Sequence, residues 1–203
     1  MSIFERLYDA WFRDPPDAGE RGQGKYKENE AATYTVDQTV DGAELRRYDP
    51  MIRAEVRVEG DQETAMDEGF GRLAGYIFGD NAAEEKVAMT VPVLQTNTNR
   101  VDVTGGEGVW TVAFMMPSRW TVETLPRPQD GGIVFVEVPG ERWLTRMLED
   151  RATPEALEEA EADLRRIAEA EGLTPSGPVR FAFYDDPLTP YWKRRNEVAL
   201  RVN

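Results

Sequence analysis

The chain has 203 residues, no cysteine and no histidine, and sets 38 acidic side chains against 24 basic ones, for a net charge of −14. Absent cysteine excludes a disulfide scaffold, a thiol nucleophile and Cys-based metal sites; absent histidine excludes the commonest general base, the usual metal ligand and the usual haem axial ligand. The acidity argues against nucleic acid and anionic membranes as partners, while 40% hydrophobic and 31% charged residues describe a globular chain able to bury its own core.

Four of the cations are lysines, Lys25, Lys27, Lys86 and Lys193. This arginine-biased acidity fits either a salt-accumulating habitat or a GC-rich genome with an ordinary acidic surface. No apolar run approaches the ~20 residues of a membrane span, and the N-terminus (MSIFERLYDAWFRDPPD) has no signal-peptide core, so a cytoplasmic protein is expected. Ile3, Phe4, Leu7, Tyr8, Trp11 and Phe12 recur at helical spacing. That helix either docks on a membrane or partner or, as its mixed charges favour, folds back on its own body. Residues 14–32, rich in Pro, Gly and charge, read as a linker. Residues 1–32 are therefore expected as N-terminal helix and linker, and 33–203 as the domain.

Within the domain, 33–40 alternates as a strand, and Asp41-Gly42 is a hairpin turn signal. A second strand covers 44–58. Asp61 is an N-cap for a helix over 61–78, and Gly79 ends it. Strands follow at 86–95 and 109–116. The order then recurs: a strand at 133–138, the Pro139-Gly140 turn, a strand at 142–148, a helix over 153–171 with Thr153 as cap and Pro154 first, and strands at 179–184 and 196–202. Each half reads β-β-α-β-β. The expected fold class is α+β, a curved or barrel-like antiparallel sheet with both helices packed outside.

The helix over 61–78 carries two apolar sides. Met66, Gly69, Leu73, Tyr76 and Ile77 face the sheet, while Phe70, Gly71, Ala74 and Phe78 form a strip beside them. Gly within a helix costs ~1 kcal/mol relative to Ala. Gly69, Gly71 and Gly75 therefore reflect either close helix–sheet packing or a flat-walled trough for a planar ligand.

Several segments resemble the SOUL haem-binding family. They are Glu44-Leu45-Arg46-Arg47-Tyr48-Asp49-Pro50, GYIFGDN (75–81), EKVAMTVPV (85–93), WTVAFMMPSRW (110–120), LPRPQD (125–130) and YDDPLTPYWKRRNEVAL (184–200). The resemblance spans about 34–201. It implies a distorted eight-stranded antiparallel barrel built from two pseudo-symmetric β-β-α-β-β halves with two flanking helices. It also implies non-covalent binding of haem or another porphyrin in an apolar cleft beside the first long helix. Carried onto this chain, the cleft wall is Phe70, Gly71, Ala74 and Phe78. The loop 187–193 approaches from the other half, and Lys193 and Arg194 are placed to pair with propionates; alternatively, Arg194 and Arg195 pair with Asp185 or Asp186.

A histidine axial ligand is impossible here. Tyr, or Met51, Met66, Met89, Met115 or Met116, would have to serve, and each methionine is more naturally core filler. The expected function is a carrier, buffer or sensor of tetrapyrroles. The rivals are a haem-dechelating or haem-degrading enzyme and a small-molecule effector-binding module. The chain has no G-x-S-x-G, no P-loop and no strand-borne G-x-G-x-x-G. Asp185-Asp186 reads as a turn former rather than a metal site.

Overall fold

Asp41 and Gly42 have φ values of +47° and +75°, the paired left-handed backbone of a two-residue hairpin. They turn β2 (Asn29–Val40) into β3 (Ala43–Tyr48) in a computed structural model that describes residues 22–98, 108–148, 152–186 and 188–203. The expected N-terminal helix lies outside the described residues. Part of the expected linker is ordered as sheet: β1 (Gln23–Tyr26) and the start of β2 form a hairpin with Tyr26 buried.

β4 (Met51–Gly60) leads into α1 (Gln62–Phe78). The Asp61 carboxylate accepts from the Thr64 amide at 2.9 Å, satisfying one of the orphan donors of the first turn. Gly79 closes the helix with φ +119°. Three strands follow: β5 (Thr90–Val91), β6 (Val93–Asn97) and β7 (Gly108–Met115). The second half contains β8 (Val134–Val138), β9 (Glu141–Leu148), α2 (Pro154–Ala170), β10 (Arg180–Phe183) and β11 (Asn196–Arg201). The Thr153 hydroxyl caps α2 by accepting from the Ala156 amide at 3.3 Å.

The strands form one sheet in the order β1-β2-β3-β9-β11-β10-β6-β7-β4-β8, and β5 pairs in parallel with β2. Among the described residues it has eleven strands and is open, not a closed barrel of eight. Two proline-containing breaks account for much of the difference. The expected strand 44–58 stops at Asp49-Pro50, because Pro50 has no N–H for a ladder. Tyr48 pairs with Glu141 on β9, whereas Met51 pairs with Val138 on β8. Pro139-Gly140 sits opposite this break. There it is a corner at which β8 and β9 part to different partners, not a hairpin joining them. In the expected strand 86–95, residues 84–89 are irregular, and Pro92 separates β5 from β6.

Both helices cover one face of the sheet. Leu73, Tyr76 and Ile77 of α1 and Leu157, Leu164 and Ile167 of α2 join Val56, Val112, Phe114, Leu144, Phe181 and Val198 in the main core. Gly69 belongs to this contact: a Cβ there would stand 2.6 Å from Val112 Cγ2, closer than any side chain tolerates. Residues that alternate with these point to the opposite, inner face, which is buried too. Tyr34, Tyr48, Trp143 and Ala199 cluster there, as do Tyr26, Leu94, Ala113, Ala182 and Tyr184. With both faces buried and β5 bridging to β2, the sheet curls over its inner face.

Candidate functional site

At about 100° of rotation per residue, Phe70, Gly71, Ala74 and Phe78 fall within an arc of about 100° on α1. The structure assigns them different surroundings. Phe70 is half-buried, with its ring 5.4 Å from Phe114 in an edge-on contact. Ala74 is fully enclosed, and Phe78 is 38% exposed. A Cβ on Gly71 would meet nothing within 4 Å. The three helix glycines thus have three explanations. Gly69 permits close approach to Val112, Gly75 leaves room for the Asp80 carboxylate, and Gly71 faces open space. The exposed members of the strip are Gly71 and, two turns further along, Phe78, with Phe70 half-buried beside Gly71.

Lys193 and Arg194 lie in a separate segment, the β10–β11 connection. Lys193 is exposed at the end of a 3₁₀ turn, Tyr191–Lys193. The Arg194 guanidinium donates to the Thr189 carbonyl at 2.7 Å. Pro187, the first residue of the expected loop, lies outside the described residues. Sequence reasoning passed over two neighbours here, Leu188 and Trp192, which are 61% and 68% exposed. Large apolar side chains adjoining a cation would have marked the segment as a contact surface. Among the methionines, Met115 and Met116 are buried in the core, Met51, Met66 and Met89 are half-buried, and Met147, overlooked in the sequence, is a sixth domain methionine on β9.

The inner face holds a charged cluster that the sequence did not disclose. Glu197 is 2% exposed and lies between two guanidiniums. Arg46 donates to Oε2 at 2.8 Å and to Oε1 at 3.2 Å, and Arg195 donates to Oε1 from Nε and Nη2 at 2.9 and 2.7 Å. Tyr184 adds a hydrogen bond to Oε2 at 3.2 Å. Burial pushes the Glu197 carboxyl up, but Arg46 and Arg195 outweigh it and hold the group down at about 2. Burial, reinforced by Glu197, raises the Tyr184 phenol well above its ordinary value. The expected pairing of Arg195 with Asp185 occurs through its backbone amide, at 2.6 Å, while its side chain takes Glu197. Asp185 is also held by Tyr26 and Lys27, so it braces the β1–β2 hairpin.

The model for the SOUL heme-binding protein family matches residues 29–201. Human heme-binding protein 2 is 30% identical over 163 residues, covering 77% of this chain and 76% of that protein. The mouse heme-binding protein 2 is 29% identical over 171 residues, covering 81% and 80%. Among solved structures, the C-terminal domain of EcmrR is similar with a TM-score of 0.62 at 13% identity, over 84% of this chain and 98% of that one. A hydrolase from Listeria innocua has a TM-score of 0.56 at 15% identity, over 82% and 94%. At these identities the likeness is one of fold alone.

Proposed function

The chain belongs to the SOUL heme-binding protein family, and from that premise we propose that it binds haem or a related porphyrin non-covalently, as a carrier, buffer or sensor. The observation that carries this reading is the exposed side of α1, where Gly71 faces open space next to half-buried Phe70 and Phe78 is exposed two turns further along. A porphyrin is a flat apolar disc with carboxylates at one edge. It requires a flat apolar surface and cations at the rim. Gly71 lets the disc approach the helix backbone, Phe70 and Phe78 flank it, and Lys193 and Arg194 serve the propionates, with Trp192 available for stacking. With β1, β2 and β5 set aside, the stretch β3-β9-β11-β10-β6-β7-β4-β8 reads the same from either end when corresponding strands of β3-β4-α1-β6-β7 and β8-β9-α2-β10-β11 are exchanged. This supports two pseudo-symmetric halves.

Bound haem supplies iron, which no histidine of this chain can ligate. Affinity then rests on the apolar wall and the rim cations. Absorbance titrations with haemin and with metal-free protoporphyrin test the proposal. Comparable saturable binding of both is the expected result. A Soret shift with haemin alone would assign the affinity to iron ligation. Binding of neither would overturn the proposal.

A further inference from the structure

Among the described residues, the inner face holds one buried guanidinium that no carboxylate pairs. Arg46 and Arg195 share Glu197, and Arg46 also pairs with Glu44. A third guanidinium, Arg180 on β10, is 5% exposed and makes no ion pair among the described residues. Its Nε has no hydrogen-bond partner. It stacks on the Trp143 ring at 3.7 Å and lies 5.3 Å from the Tyr48 ring. The nearby carboxylate, Glu141, is occupied: Trp143 Nε1 donates to it at 3.0 Å and Arg201 at 3.2 Å. Arg53, another neighbour, pairs with Glu55 at 2.9 Å and offers Arg180 no counter-charge.

Guanidinium does not shed its proton in proteins, so Arg180 remains charged. An unpaired charge in an apolar setting is costly, and stacking on aromatic faces offsets only part of that. Arg180 lines a cavity of about 20 Å³ with Tyr48, Met51, Leu94, Met115, Ala182 and Tyr184. A single water requires roughly 10–15 Å³. The cavity thus has room for one guest of water or halide size, and a compact monovalent anion suits it better than sulfate or an organic acid. Apart from Arg180, the lining is apolar side chain or tyrosine, with no carboxylate to repel an anion.

We propose that this cavity holds a single monovalent anion of halide size against Arg180, completing the charge balance of the inner face. Binding to the folded state alone raises the melting temperature in a saturable way. The chain as a whole, at net −14, repels anions, so a saturable response singles out a specific site. Full-length protein is melted in sodium gluconate of fixed ionic strength, with bromide or chloride replacing gluconate stepwise. The expected result is a rise of a few degrees that saturates with either halide and does not appear with sulfate. R180M should abolish the saturable component. A182L, which fills the cavity and keeps Arg180, should abolish it too and serves if R180M does not fold. Crystals grown in bromide should show an anomalous peak within hydrogen-bond distance of Arg180. Equal stabilisation by every salt, a halide response that survives A182L, or a water in place of bromide would each overturn the proposal.

Discussion

Arg195 and Glu197 are two residues apart at the start of β11, and both turn to the inner face, where the guanidinium makes two hydrogen bonds to Oε1 at 2.9 and 2.7 Å. Arg46 closes on the same carboxylate from β3, two strands away in the sheet order. The cluster therefore ties the N-terminal strands to the C-terminal one.

Stability should depend on pH through this carboxylate. Its folded value, about 2, lies below the ordinary 4.5. The ionised form is thus favoured in the fold, and its contribution is complete above pH ~4.5 and lost as pH falls through about 2. A shift of this size corresponds to about 3 kcal/mol. E197Q should be destabilised by about 3–5 kcal/mol at pH 7, since it leaves two guanidiniums short of charge. Urea unfolding of both proteins between pH 7 and 2 should show the gap closing toward pH 2. A gap that stays constant over that range would remove Glu197 as its origin.

The helix glycines should respond in opposite directions. G69A places a methyl against Val112 on the packed face and should cost about 1–3 kcal/mol. G71A meets nothing and replaces a flexible residue with a strong helix former, so it should stabilise by about 0.5–1 kcal/mol. Paired urea melts measure both. Destabilisation by G71A would mean that the open space is required for folding.

Haemin bound to this protein should show a high-spin, pentacoordinate or weakly ligated spectrum, since the chain has no histidine. If a low-spin spectrum is recorded, Met-to-Leu changes at Met51, Met66, Met89, Met115, Met116 and Met147 should remove it. Persistence through all six would assign the ligand to Tyr or Lys.

Local signals carried most of the fold. Asp61, Gly79, Thr153 and Asp41-Gly42 act within a few residues of themselves, and each does what its chemistry predicts. Pairing partners were less legible. Pro139-Gly140 has the composition of a hairpin turn, yet β8 and β9 pair with β4 and β3 instead. That choice depends on Pro50, some ninety residues earlier. The inner-face cluster was hidden for a related reason. Arg46 alternates with Leu45 and Arg47, and Arg195 and Glu197 with Arg194 and Asn196, as charges on a solvated strand face would. Only the curling of the sheet places them inside. On α1 the apolar strip was visible from spacing alone, but not that Ala74 is enclosed while Gly71 is open.

That difference decides how the porphyrin wall is best tested. A bulky residue at Ala74 would overpack an enclosed position and confuse folding with binding. Gly71 is the better site because a side chain there enters open space and helix propensity improves. G71L should fold with unchanged or higher stability and bind protoporphyrin at least tenfold more weakly, because the disc no longer reaches the backbone. F78S removes an exposed ring and should weaken binding by a smaller factor with little effect on stability. Thermal melts and porphyrin titrations on the two variants separate folding from recognition. Wild-type affinity in a stable G71L protein would take α1 out of the binding site. The segment bearing Leu188, Trp192, Lys193 and Arg194 would then be the next surface to alter, beginning with W192A.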